Sequence, residues 1–91
     1  MYHIYIIIMI KIALIVVVTS IANVNKTPDV SITGFYNDFE SCFKVMDDIK
    51  TSLNTEDLYD EKKIRYLKLP IREAHQEGYI FWSCLDKTQF N

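Results

Sequence analysis

The sequence predicts an all-α fold: a small three-helix domain, stapled by one disulfide and preceded by a cleaved signal peptide. Three observations carry this expectation. The chain opens on a long apolar run with the layout of an export signal. Phe35, Phe39, Cys42, Met46, Ile49 and Leu53 recur at alternating spacings of four and three, which lays them on one helix face. Cys42 and Cys84 are the only cysteines, so a single internal pairing exists.

Residues Ile4 to Ala22 are apolar apart from Lys11 and a few small polar positions. A membrane span needs roughly 20 such residues. Lys11 would then lie near the bilayer centre, where a lysine costs about 2.5–3.5 kcal/mol. In a signal peptide the same lysine stands just before the apolar h-region Ile12–Val18, and Ser20 and Ala22 supply the small residues that signal peptidase reads. Cleavage is expected between Ala22 and Asn23. Met9-Ile10-Lys11 alone reads as a short n-region, which makes Met9 an alternative start. The predicted organisation is a signal peptide over 1–22, an extended lead segment over 23–34 and a helical domain over 35–91.

The lead segment has no helical period. It contains Asn25-Lys26-Thr27, a glycosylation sequon in form, although Pro28 directly after it opposes modification. The first helix runs from Phe35 to Leu53, with Phe43 widening its apolar stripe and Asp38, Lys44, Asp47 and Asp48 on the opposite side. Asn37 and Glu40 are spaced as a capping box. A second helix is expected from Glu56 to Leu67, capped by Asn54 or Thr55 and stopped by Pro70, because proline disfavours helix in the residue before it. A third runs from Ile71 to Leu85, with Ile71, Ala74, Gly78, Phe81 and Leu85 on one face. The small residues Ala74 and Gly78 would let another helix approach. The alternative is α+β. Gly78 costs about 1 kcal/mol in a helix, Tyr79-Ile80-Phe81-Trp82 is β-prone, and Arg65 to Leu69 alternates, so 65–69 and 79–85 form a competing β-pair.

The formal net charge is −2, and removing Lys11 makes the remainder one unit more acidic. Nucleic acid and anionic membrane surfaces both call for clustered positive charge, so neither is an expected partner. Lys62, Lys63, Arg65 and Lys68 do cluster, but Asp60 and Glu61 beside them mark a solvated helix face. A domain this small is marginal on its own core and needs a staple. A Cys42–Cys84 bond would close a loop of about 43 residues, worth roughly 4 kcal/mol in the chain-entropy model.

No motif for chemistry emerges. His3 falls within the signal. His75 has Glu73 and Glu77 as neighbours, but residues two apart do not share a helix face, and no second histidine or spare cysteine completes a zinc site. Ser41 and Ser83 adjoin cysteines without a base or an orienting group. Asp47-Asp48 and Glu56-Asp57 are sequence neighbours, which point apart on a helix. Gly34 and Gly78 are the only glycines, too few for a phosphate-binding loop. The expectation is therefore no enzyme and no cofactor. It is instead a small secreted protein of toxin, effector or signalling kind that acts by binding another protein. Tyr79, Phe81 and Trp82 are its candidate interface, since such residues dominate interface energetics; core packing is their competing role. Two alternatives stand beside it: an extracellular carrier of a small apolar ligand, and a small membrane-anchored protein that retains its N-terminal helix.

Overall fold

Ile12, Ile15, Val16, Val17 and Val18 are β-branched, and side chains of this kind pack best on a pleated surface. In the computed structural model, which describes residues 12–20, 27–73 and 76–86, this run is strand β1, Ile12–Ser20. It is followed by β2 (Asp29–Tyr36), helix α1 (Phe39–Leu53), β3 (Glu56–Tyr59), β4 (Arg65–Glu73) and β5 (Gln76–Leu85). The strands form one sheet in the order β2-β1-β5-β4-β3, with every neighbouring pair antiparallel. α1 lies across one face of it.

This architecture overturns the predicted three-helix, all-α domain. The first helix is present but starts later. Asp38, rather than Asn37, is its N-cap, and the Asp38 carboxylate accepts a hydrogen bond from the Ser41 backbone N–H at 2.8 Å. That bond holds the Asp38 carboxyl below the ordinary carboxylate range. The helix ends at Asn54, which takes the left-handed conformation and donates its N–H to the Lys50 carbonyl.

The second and third predicted helices do not exist. Their residues make β3, a turn, β4 and β5. The apolar positions between Glu56 and Leu67 never had a true helical period, and Arg65 to Leu69 alternates inward and outward along β4. Asp60 organises the hairpin turn: its carboxylate accepts from the Lys62 and Ile64 amides, and Lys63 adopts a φ of 64°. The basic cluster is thus scattered over a turn and two faces of a strand, not gathered on a helix. Pro70 stops nothing, because β3 pairs β4 only as far as Lys68 and β4 is locally an edge beyond that point. The competing pair over 65–69 and 79–85 coincides with part of β4 and β5, as two strands of five.

Gly78 is needed for close approach of a strand rather than a helix. It sits opposite Ser20, and a Cβ there would overlap the Thr19 carbonyl.

The predicted h-region is β1, a strand with neighbours on both sides. This sheet and a cleavage after Ala22 exclude one another, since the cut would take β1 away and leave β2 without its partner. Ala22, Asn23 and Asn25 themselves lie outside the described residues, as do His3 and His75. The extended lead segment contributes β2.

The core lies between α1 and the sheet. Ile12 and Leu14 of β1, Leu67 of β4, Trp82 and Cys84 of β5, and Cys42 and Met46 of α1 form one buried cluster. Cys42 and Cys84 are joined in a disulfide with 6.2 Å between their Cα atoms, as the cysteine count predicts. Met46 Sδ rests 3.2 Å from Cys84 Sγ. One buried polar atom, Thr55 Oγ1, has no hydrogen-bond partner among the described residues.

Candidate functional site

Side chains alternate along a strand, so every strand that faces α1 with one set presents the other set to the far side. Ile12, Leu14 and Val16 face the helix, which sends Ala13, Ile15 and Val17 to the opposite face. The register carries the same division across the sheet. Ile15 pairs with Ser83 and Val17 with Phe81, while Tyr66 pairs with Ser83 and Lys68 with Phe81. On the other flank, Val17 pairs with Val30, Ile15 with Ile32 and Ala13 with Phe35.

The far face is consequently largely apolar from β2 to β5, with Ser83, Lys68 and Glu56 as polar positions toward the β3 edge, and no element among the described residues covers it. Phe81 is its centre. Its ring lies 6.0 Å from Tyr66 and 6.1 Å from Tyr79, both tilted, the geometry aromatic pairs prefer. The Lys68 ammonium stands 4.4 Å over the Tyr79 ring, a cation–π contact that keeps one positive charge within the row. Beside it, Tyr66, Phe81, Ser83 and Leu85 floor an open groove of about 590 Å³, with Asp60, Glu61 and Lys62 of the β3–β4 turn on its rim. An apolar floor within a charged rim is the anatomy of a protein interface. Ala13 and Ile15 are buried, so the middle of the face is closed at β1, whereas Val30, Ile32 and Phe35 are 64%, 49% and 61% exposed.

The fold divides the three predicted interface residues. Tyr79 and Phe81 share the open face. Trp82 points the other way, pairs across β5 with Val16 and Leu67, and is 9% exposed against the helix; it is core. Sequence reasoning missed Tyr66, Lys68, Val30, Ile32 and Phe35. The alternation of Arg65 to Leu69 was the available signal for the first two. For β2 there was none, because its bulge breaks the period.

A second constellation, on the helix side, is structural. The Arg65 guanidinium grips the Asp57 carboxylate with two hydrogen bonds, at 2.8 and 2.9 Å, and donates a third to Asp47 at 2.6 Å. Lys50 approaches Asp57 at 3.3 Å. The Asp57 carboxyl is held below its ordinary range chiefly by the Arg65 hydrogen bonds, and the Arg65 pKa is raised chiefly by its hydrogen bond to Asp57. Arg65 also lies 5.5 Å over the Phe43 ring. These contacts tie α1 to β3 and β4. Ser83 Oγ is engaged as donor to the Arg65 carbonyl at 2.9 Å. Among the described residues no group of three His, Cys, Asp or Glu side chains is placed to hold a metal.

No family model matches this chain, and neither curated proteins nor solved structures include a significant match to it.

Proposed function

We propose that this chain is a small disulfide-stapled protein that acts extracellularly by binding another protein through the open face of its sheet. The observation carrying this reading is the row formed by Tyr66, Phe81, Tyr79 and Lys68 on a face left uncovered by α1. Tyr66, Tyr79 and Phe81 are half-buried, and contiguous accessible apolar side chains within a polar surround mark interaction sites. Tyrosine and phenylalanine supply large contact area at low entropic cost.

The extracellular part of the proposal is supported by the Cys42–Cys84 bond, which oxidising compartments sustain. No helix among the described residues is long and apolar enough to cross a membrane. The working form retains β1, because β1 stands between β2 and β5 and holds the two flanks of the sheet together.

A carrier of small apolar ligands is the weaker reading. The groove over Tyr66 and Phe81 is open along its length, whereas a ligand pocket encloses most of its ligand.

The test places a photo-crosslinking amino acid at Tyr79 in the full chain and exposes it to intact cells and extracellular fluid of the source organism. One defined protein species should be captured, and Phe81→Asp should abolish the capture while leaving the circular dichroism spectrum unchanged. Capture that is indifferent to Phe81→Asp in a folded protein would remove the face from consideration.

A further inference from the structure

The two edges of the sheet are finished differently. β3 is four residues long, begins with Glu56 and Asp57, and has its Asp57 carboxylate held by Arg65 and Lys50. Short, charged edges discourage further pairing. β2 is twice as long, carries only one charge, Asp29, at its first position, and exposes Val30, Ile32 and Phe35. An exposed edge with a single charge at its end is a template for another strand.

We propose that β2 pairs antiparallel with β2 of a second copy about a two-fold axis, joining two five-stranded sheets into one. The contact uses the β2 edge, not the Tyr66–Phe81–Tyr79 row, and stands independently of the function proposed above.

Three features favour a second copy over any other strand. The first is the bulge. Leu14 pairs with Gly34 but Ile15 with Ile32, so Thr33 is an extra residue, and Val30 and Phe35 fall on the same face despite their odd spacing. A two-fold axis between Ile32 and Thr33 then sets Val30 opposite Phe35 of the second copy and Ser31 opposite its Gly34, each pair sharing a face. The second is charge. In this register each Asp29 meets Tyr36 of the other copy, and the two aspartates stand at opposite ends. The third is the far edge. Pairing β2 onto β3 would build an open filament, but it would bring Asp29 to an edge already carrying Glu56 and Asp57. The closed dimer avoids this. An eight-residue edge is small beside the ~800 Å² per partner of a standard interface, so association is expected to be weak and to grow toward the upper end of the concentration range.

Sedimentation velocity on the full chain, from low micromolar to millimolar, should show the mass doubling with concentration. Ile32→Lys, with folding checked by circular dichroism and an intact disulfide, should weaken association by about tenfold or more, because it sets two lysines near the axis. Phe81→Lys should leave association unchanged. Mixing Val30→Cys with Phe35→Cys proteins under mild oxidation should give the mixed crosslink in preference to either self-crosslink. A chain that stays monomeric throughout overturns the proposal. So does association lost on Phe81→Lys but not on Ile32→Lys, or self-crosslinks that outweigh the mixed one.

Discussion

Removing residues 1–22 should abolish folding. β1 contributes Ile12, Leu14 and Ile15 at 4%, 2% and 6% exposure and Ala13 at 0%. Burying a side chain of the larger kind contributes about 1.5–3 kcal/mol, so three of them contribute on the order of 5–9 kcal/mol before any hydrogen bond is counted. The net stability of a whole domain is about 5–15 kcal/mol, and a chain this small sits at the low end. The disulfide, at roughly 4 kcal/mol, cannot offset the loss. β2 would also lose the one strand to which it is paired among the described residues. The assay is a urea titration, followed by circular dichroism and tryptophan fluorescence, of chains 1–91, 9–91 and 23–91, each oxidised and purified under the same conditions. The first two should unfold cooperatively with closely similar midpoints, and 23–91 should show no transition and no ordered Trp82 environment. A cooperative transition for 23–91 at a similar midpoint would refute the reasoning, and with it the place of β1 in the sheet. It would return the segment to the role of a removable signal. The intact mass of the protein from its natural source asks the same question of the cell, since a product beginning at Asn23 cannot carry this sheet.

Arg65→Met should cost about 1–3 kcal/mol, because it leaves Asp57 without the fork that satisfies it; chemical denaturation measures this. The Asp57 pKa is lowered on folding, so its contribution is fully present above the unfolded carboxylate value. It should be lost as pH falls below about 4 through the folded value, and Asp57→Asn should flatten that acid limb of the stability profile. Thr55→Val should raise stability by about 1 kcal/mol in the same titration, since it removes a buried hydroxyl that has no partner among the described residues. Gly78→Ala should destabilise by about 1–3 kcal/mol through overlap with the Thr19 backbone, read as a fall in the thermal midpoint; an unchanged midpoint would mean that β1 does not run beside Gly78.

The legibility of this chain was uneven, for physical reasons. α1 announced itself because an amphipathic helix on one face of a sheet must show a clean 3.6-residue period. The disulfide was legible because two cysteines allow one pairing. β1 was not legible as a strand because an apolar run with no alternation is what a buried strand and a signal h-region share. Its strand neighbours on both edges exist only in the folded sheet. β4 and β5 were blurred in another way. Both of their faces carry large apolar side chains, Leu67 and Trp82 toward the helix and Tyr66 and Phe81 away from it. Only the short alternation of Arg65 to Leu69 survives in β4, and Tyr79 to Trp82 of β5 shows no period of two. The same property hid the open face, since Tyr79, Phe81 and Trp82 read as one cluster until the pleat separated them.

The disulfide has a mechanical consequence. The bond closes a ring around β3, β4 and most of α1 and β5, its two ends 42 positions apart in sequence. β1 and β2 lie wholly outside that ring. A pull applied to the two ends of the chain therefore crosses from Cys42 to Cys84 through the sulfur bridge and never reaches the strands within the ring. The tension falls on the two seams of β1, where Ile12 and Ala13 stand beside Tyr36 and Phe35 of β2 and Ala13 beside Leu85 of β5, and β1 and β2 can give way there while the rest keeps its shape. Under load the domain behaves as a rigid ring with a detachable two-strand flap, and the flap carries the exposed edge.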